Sequence, residues 1–409
     1  SVQDMPAFIY LEGSSLTATT GIPLTYPNKL PETGTTIFTV MSQMAQKHGA
    51  INLSQGFPDF DGPAELHEAV TRHMGQGHNQ YAPLAGIPEL KRQIADKVTA
   101  LYGCPADPEL QVVVTPGATE AIYCALTATV SPGDEVILFD PAYDTYEPGV
   151  RLNGGVARRI PLRSSDFGFD WQRVRDSISS RTRMIMLNSP HNPSGAVLGP
   201  DDIEALREVI AGTDILLLSD EVYEHIVFDG REHLSLLRYP DLAQRSFCIF
   251  SFGKTYHVTG WRIGYCVAPP DLTAAFLNIH QFINFSTNTP LQHALADFLR
   301  DHPDSALQLA GFYQAKRDLF RQLLAPGPFR LLPAGGTFFQ LADYSAISNV
   351  PDREFAAWLT QEHGVAVIPI SVFYEQPPDQ RIIRFCFAKT DATLHEAAER
   401  LAAIPTRQV

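Results

Sequence analysis

The chain has 409 residues, too many for one small core, and its 44% hydrophobic and 19% charged composition is that of a folded globular protein without low-complexity tracts. Its 31 basic residues against 45 acidic ones leave a formal charge of -14, which opposes nonspecific attraction to nucleic acid or to an anionic membrane. Five cysteines, Cys104, Cys124, Cys248, Cys266 and Cys386, form no CxxC pair, which argues for reduced, mostly buried thiols.

Residues 1 to about 35 are rich in Thr, Pro and Gly with weak periodicity, and read as an extended arm. Asp4 and Glu12 stand where a secretory leader would be basic, and no run of about 18 apolar residues occurs, so a cytoplasmic protein is expected. The spacing of Ile37, Val40, Met41, Met44 and Ala45 predicts a helix from Ile37 to His48. Short apolar runs then alternate with helical stretches: QVVVTPG, EVILFDPAY, RMIMLNSPHNPSG, ILLLSDEVY, SFCIFSFGK and RIGYCVAP. Near-continuous apolar strands between helices predict an α/β fold with a mainly parallel sheet covered on both faces. After about residue 290, LQHALADFLR opens helical patterning that leads to short strands at GGTFFQLAD, GVAVIPI and RIIRFCFAK, a smaller α+β domain. The expected division is an arm and helix joining the small domain at 1–50, a large domain at 51–289, and a small domain at 290–409.

In an open parallel sheet the ligand crevice lies beyond the carboxyl ends of the strands, so the residues just after each run are candidates. Pro116-Gly117-Ala118-Thr119-Glu120 opens a helix whose first amides suit a phosphate, while Glu120 by itself favours the helix dipole. Tyr143 sets an aromatic face at the crevice floor or packs in the core. In Asn188-Ser-Pro-His-Asn192-Pro-Ser-Gly195 the Pro and Gly fix a turn, leaving Asn192 as a neutral donor or as a structural Asx residue. His191 and His257 lie beside these loops without metal-ligand spacing, which suits packing or turn roles and no metal.

Asp220 ends the apolar run Leu216-Leu217-Leu218-Ser219, where a carboxylate is costly unless a cation meets it. A protonated pyridine nitrogen is such a cation, and an Asp opposite pyridinium is a feature of pyridoxal phosphate sites. Tyr223, three residues on, can turn its hydroxyl to the oxygen of that ring. Lys254 in SFGKTYHVTGWRIGY is a solvated charge, a phosphate-loop lysine, or the Schiff-base lysine of such a site. Gly253-Lys254-Thr255 copies the end of a nucleotide P-loop, but Cys248 stands where that loop needs its first glycine. A lysine nucleophile needs its ordinary pKa, about 10.4, brought down by burial and a nearby cation. Arg262 can be that cation while gripping phosphate, with Ser251 bonding the same phosphate.

The order Tyr81, GAT, PAY, NPSG, DEVY, SFGK, WRIGY and a later Arg384 resembles the fold-type-I, class I/II aminotransferases over nearly the whole chain. QGFPDFD at 55–61, NQYAPLAG at 79–86 and SFGKTYHVTGWRIGY are most similar to the kynurenine/glutamine-type branch and to its bacterial methionine aminotransferases. The resemblance implies pyridoxal 5'-phosphate on Lys254, which also moves the substrate proton. It implies Asp220 at the pyridine nitrogen, Asn192 and Tyr223 at the ring oxygen, and Tyr143 stacked on the ring. Ala118, Thr119, Ser251 and Arg262 would hold phosphate, joined by Tyr81 from the second subunit of a homodimer. Gly56, Asn192 and Arg384 would receive the substrate carboxylate. By strand alternation alone, Arg384 faces opposite to Ile383 and Phe385, and either points to solvent or offers a carboxylate its planar fork.

These implications describe ping-pong transfer of an amino group to a 2-oxo acid. Apolar Ile22, Leu24, Tyr26 and Phe57 favour methionine-like, aromatic or glutamine-type donors, with Lys29 the nearest base in sequence. A carbon-sulfur β-lyase on the same site is the nearest rival, and a ligand-sensing domain of a transcription regulator is a more distant one.

Overall fold

The strand-forming runs assemble into three sheets in the computed structural model, which describes residues 27–405. In chain order the strands are β1 (Ile51–Asn52), β2 (Val112–Thr115), β3 (Glu135–Asp140), β4 (Val156–Pro161), β5 (Thr182–Asn188), β6 (Leu216–Asp220), β7 (Ser246–Ser251) and β8 (Gly264–Val267). Five more follow: β9 (Arg330–Leu331), β10 (Phe339–Asp343), β11 (Val365–Ala366), β12 (Ile368–Pro369) and β13 (Ile382–Cys386). The ten longer helices among the described residues are α1 (Ile37–His48), α2 (Ala64–Gly75), α3 (Pro88–Tyr102), α4 (Ala118–Thr129), α5 (Pro200–Ile210), α6 (Pro270–Ile283), α7 (Thr289–Asp301), α8 (Leu309–Leu324), α9 (Asp352–Glu362) and α10 (Asp391–Ala402). Residues 27–33 belong to a separate N-terminal unit and form a turn, in which the Thr33 N–H donates to the Leu30 carbonyl. Ile22, Leu24 and Tyr26 lie outside the described residues.

The seven-stranded sheet has the order β2-β8-β7-β6-β5-β3-β4. Neighbours pair in parallel except β8, which runs antiparallel to both β2 and β7, so six strands share one direction. The apolar runs are continuous because both faces are covered. Val136, Leu138, Met184, Met186, Phe247 and Ile249 enter one core with α4 and α6, while their neighbours Ile137, Phe139, Ile185, Leu187, Cys248 and Phe250 enter the other. That is the period-2 alternation of a strand serving two cores, each buried aliphatic side chain contributing about 1.5–3 kcal/mol.

The four-stranded sheet has the order β12-β13-β10-β9 and is antiparallel throughout. It is covered by α9, on which α1 packs, and β1 pairs in parallel with β11. The N-terminal helix therefore joins the later half of the chain. Local sequence explains where α1 begins and ends: the Thr36 hydroxyl accepts the Thr39 N–H, and Gly49, at φ 60°, terminates the helix in a left-handed turn. Helix α7, whose LQHALADFLR pattern marks the expected start of the smaller domain, lies against α2 and α3.

Candidate active site

The carboxyl ends of β3, β5, β6 and β7 meet residues of α1, α4, β10 and β13 around a cavity of about 320 Å³. All the predicted site residues line it except Tyr81. Tyr81 is 82% exposed on the surface, its ring 5.2 Å from that of Phe285. A larger hollow of about 680 Å³ around Phe60, His257, Phe312 and Lys316 contains none of the predicted site residues.

Lys254 sits in the single helical turn that follows β7. Its ammonium donates to the Gly56 carbonyl at 2.9 Å and lies over the rings of Phe338 and Tyr223 at 5.4 and 5.5 Å. Loss of solvation brings its pKa down to about 8, with Arg384 and Arg262 adding to the fall and Asp220 opposing it. Near neutral pH about a tenth of such amines are already free base, against well under a hundredth for an ordinary lysine.

Asp220 is buried at the end of β6 and makes no ion pair among the described residues. Its Oδ2 accepts the Tyr146 hydroxyl at 2.6 Å and its Oδ1 the Val222 N–H at 3.3 Å. Desolvation nevertheless raises its pKa to about 6. Behind it, Lys97 donates to Glu224, which also accepts from Tyr102, and Glu221 is bonded to His233, so the turn after β6 is anchored on both carboxylates.

Arg384 does not face solvent. It is 1% exposed, its Nη1 donates to Asn192 Oδ1 at 2.7 Å and its Nη2 to the Ser54 carbonyl at 2.9 Å. Its Nε is buried with no partner among the described residues, and the guanidinium lies 3.9 Å from the ring centroid of Phe339. Burial lowers its pKa to about 10. Asn192 is held in turn by its own N–H, which donates to Asn188 Oδ1 at 2.9 Å.

Across the cavity the first turn of α4 begins at Gly117 without a side-chain cap, leaving the amides of Ala118 and Thr119 directed out of the helix end. Gly117 has φ 86°, and a Cβ there would lie 2.7 Å from Arg262 Nη2, so only glycine lets the guanidinium close on that turn. Ser251 and Arg262 complete this end. Tyr143 stands between the rings of Phe38 at 6.4 Å and Tyr146 at 5.7 Å. Tyr223 is buried, its ring edge-on to Phe338, and desolvation holds its hydroxyl well above the usual phenol range.

Sequence reasoning missed Phe38, Gln55, Ile122, Tyr146, Val222 and Phe339, which also line the cavity. Tyr146 carried a signal, since PAYDTY places a second tyrosine three residues after Tyr143. Phe38 carried none, lying in an amphipathic helix more than a hundred residues before the other aromatic groups. One expectation needs correction: Phe57 is not in the cavity wall. It is 44% exposed, its carbonyl accepts from Lys389 Nζ at 2.8 Å and its ring faces the same ammonium. The apolar wall comes from Phe38 and Phe339 instead. His191 has a packing role, its ring nitrogens 2.6 Å from Ser194 Oγ and 3.0 Å from the Pro141 carbonyl.

Residues 48–401 match the family model for aminotransferase class I and II. The chain is 52% identical over 382 residues to the methionine aminotransferase of Escherichia coli (strain K12), covering 93% of this chain and 99% of that relative. A solved Escherichia coli structure, described as identifying a methionine aminotransferase function, superposes with a TM-score of 0.91 at 52% identity, over 93% of this chain and 100% of the other. Human kynurenine–oxoglutarate transaminase 3 is 32% identical over 422 residues, 96% of this chain and 93% of its own.

Proposed function

Because the chain belongs to the class I and II aminotransferases, we propose that it moves the amino group of an uncharged, fairly large amino acid to a 2-oxo acid, using pyridoxal 5'-phosphate. Methionine is the first expected donor, with aromatic amino acids or glutamine behind it. The observation that carries the reading is one cavity holding a lysine of lowered pKa and, among the described residues, a buried carboxyl with no ion pair and a buried guanidinium with an unpartnered Nε.

The residues present fit that cofactor. The uncapped start of α4, with Gly117 giving way to Arg262, suits a phosphate held by the Ala118 and Thr119 amides, Ser251 and Arg262. Asp220 suits a pyridinium nitrogen, Tyr143 the ring face, and Asn192 and Tyr223 the ring oxygen. Lys254 would carry the cofactor. When bound, pyridoxal phosphate supplies an electron sink for the pair left at the substrate Cα. The chain supplies the rest. Arg384 and Asn192, with the Gly56 turn beside them, hold the carboxylate and so fix the Cα–H bond relative to Lys254. Lys254 Nζ, with its lowered pKa, takes the Cα proton and returns it at the other end of the transfer. Asp220, kept charged by Tyr146 and Val222, keeps a proton on the ring nitrogen. An amino acid and its oxo acid present the same carboxylate, so one set of residues serves both half-reactions.

Donor choice follows from the wall. Phe38, Ile122, Val222 and Phe339 are apolar, and among the described residues the only lining cations are Lys254, Arg262 and Arg384. None is left for a side-chain carboxylate, whose burial unpaired is expensive. Measuring kcat/KM for methionine, phenylalanine, glutamine and aspartate at a fixed acceptor tests this. Methionine should lead; aspartate leading would end the apolar-wall reading and leave the cofactor residues standing.

The same proposal takes the protein as a cytoplasmic homodimer in which Tyr81 reaches the phosphate of a second copy. No helix among the described residues is long and apolar enough to cross a membrane. Tyr81, Phe282 at 85% exposure and Phe285 at 53% give a large exposed apolar surface, which supports a buried contact in the assembly. The domain division proposed with it stays at 51–289 for the large domain and 290–409 for the small one, with the segment up to residue 50 assigned to the latter.

A further inference from the structure

Three histidines that do not line the cavity meet where α2 and α7 pack together. His73 lies in the last turn of α2 and is buried. The chain then reverses through Gly77, at φ 88°, and the His78 N–H returns to the His73 carbonyl at 3.1 Å. This brings the two Nδ1 atoms to 2.8 Å from each other. His293 on α7 stacks against both rings, with centroids 4.0 Å from His78 and 5.2 Å from His73. One nitrogen from each ring lies within 4.8 Å of the other two.

A fourth residue fixes how these rings present themselves. Asp297, one turn after His293 on the same face of α7, places Oδ2 at 2.7 Å from His73 Nε2. Arg72 donates to Oδ2 at 3.0 Å and Arg300 to Oδ1 at 2.9 Å. A carboxylate paired with two guanidinium groups accepts hydrogen bonds only, so His73 carries its proton on Nε2 and turns the Nδ1 lone pair towards His78 and His293. A carboxylate fixing the outer nitrogen of a ligating imidazole is the usual support of a metal-bound histidine.

We infer that His73 Nδ1, His78 and His293 form a binding site for a zinc-type divalent transition-metal ion, with Asp297 orienting His73 from behind and one coordination position left to water. The alternative occupant of the short Nδ1–Nδ1 contact is a proton, given by His78 to His73. On ligation His78 carries that proton on its other nitrogen, so neutral rings release none. Zn–N bonds of about 2.0–2.1 Å at tetrahedral angles need nitrogens about 3.3 Å apart, so the His73–His78 pair opens by about half an ångström. His78 and His293, both only partly buried, turn to bring their lone pairs inward, while Asp297 holds His73 in place. Three imidazoles without a thiolate suit zinc, nickel or copper rather than calcium or magnesium. The ion would pin α2 to α7, and His293 is too far along the chain from His73 and His78 to reveal the site by spacing.

The test is calorimetric titration of the holoenzyme with zinc chloride in buffer free of chelators. One ion per chain is expected. His293→Ala and His78→Ala should each weaken binding by tenfold or more, with Asp297→Asn weakening it by about 10–100-fold. His293→Gln, which keeps the size of the side chain, should fail in the same way and separates lost ligation from lost packing, with circular dichroism checking each fold. Absence of zinc binding by the wild type at tens of micromolar overturns the inference. So does unchanged zinc affinity in His78→Ala and His293→Ala, which would move the ion to the thiols or the cofactor.

Discussion

Tyr146 is the residue whose removal examines the site most directly, because its hydroxyl is the shortest bond to Asp220 and the ring itself is buried. Tyr146→Phe deletes one oxygen and keeps the packing. A hydrogen bond to a charged group contributes about 1.5–3 kcal/mol, which at 1.36 kcal/mol per unit is a change of about one to two pKa units. The bond favours the ionised form, so losing it moves Asp220 upward from about 6 to about 7–8. At pH 7 the charged fraction then falls from about nine-tenths to between one-half and one-tenth. If the carboxylate must be charged to receive the cofactor, affinity of the apoprotein for pyridoxal phosphate drops by about 2–10-fold at that pH.

The ratio of variant to wild type carries the evidence, since the titration of Lys254 cancels in it. It should grow as pH falls towards 5, where the wild type is itself largely protonated, to about 10–100-fold, and shrink towards unity by pH 9. Fluorescence titration of both apoproteins with the cofactor across this range measures it. A ratio that stays flat with pH, whatever its size, refutes the coupling of Tyr146 to the charge of Asp220.

The raised pKa of Asp220 also predicts a stability effect. A carboxyl raised from about 3.9 unfolded to about 6 folded binds its proton more tightly when folded, so it destabilises above pH 6 by about 3 kcal/mol and that penalty vanishes as pH falls from 6 to 4. Asp220→Asn, which keeps an acceptor for Tyr146, should therefore stabilise the apoprotein to urea at pH 8 and not at pH 4; equal shifts at both would show no titration behind it. Arg384→Ala should weaken both half-reactions by roughly 2–5 kcal/mol, and unchanged KM for amino acid and oxo acid alike would remove it from the carboxylate site. Lys254→Ala should abolish nearly all transamination while still binding the cofactor through the phosphate end and Asp220, and borohydride reduction of the wild type that labelled another lysine would reassign it.

What the sequence revealed depended on how local each signal was. The helix Ile37–His48 was readable to the residue because its apolar periodicity lies within it and its cap Thr36 and terminal Gly49 stand directly beside it. The loops after β3, β5, β6 and β7 were readable because a parallel sheet aims its carboxyl ends at one place, and a polar residue ending a buried strand has few other uses. The reversed direction of β8 was invisible, since an apolar four-residue strand reads alike in either sense. So was the contribution of Phe38, which depends on α1 folding back onto α9. Arg384 was ambiguous for a related reason: alternation says which neighbours share its face, and only the pairing of β13 between β10 and β12 decides that this face is covered.

That burial gives the cavity an unusual charge balance. Lys254 and Arg384 are each held below their ordinary pKa and Asp220 above its own, all three chiefly by desolvation. None of the three forms an ion pair among the described residues, and their short contacts are to carbonyls, an amide oxygen, a hydroxyl and an N–H. A folded chain optimised for stability alone would pair or replace such groups, because desolvated charges without partners weaken it. Two of them fit charges that the proposed ligands carry, a pyridinium opposite Asp220 and a carboxylate opposite Arg384, and the third, Lys254, is the proposed attachment point of the cofactor. The same desolvation that strains the empty fold strengthens every one of those contacts once it forms, so affinity and instability have one physical source. It follows that cofactor binding should protect this protein against unfolding more strongly than its phosphate contacts alone would, and that Asp220→Asn should lose a large part of that protection while raising the stability from which it starts.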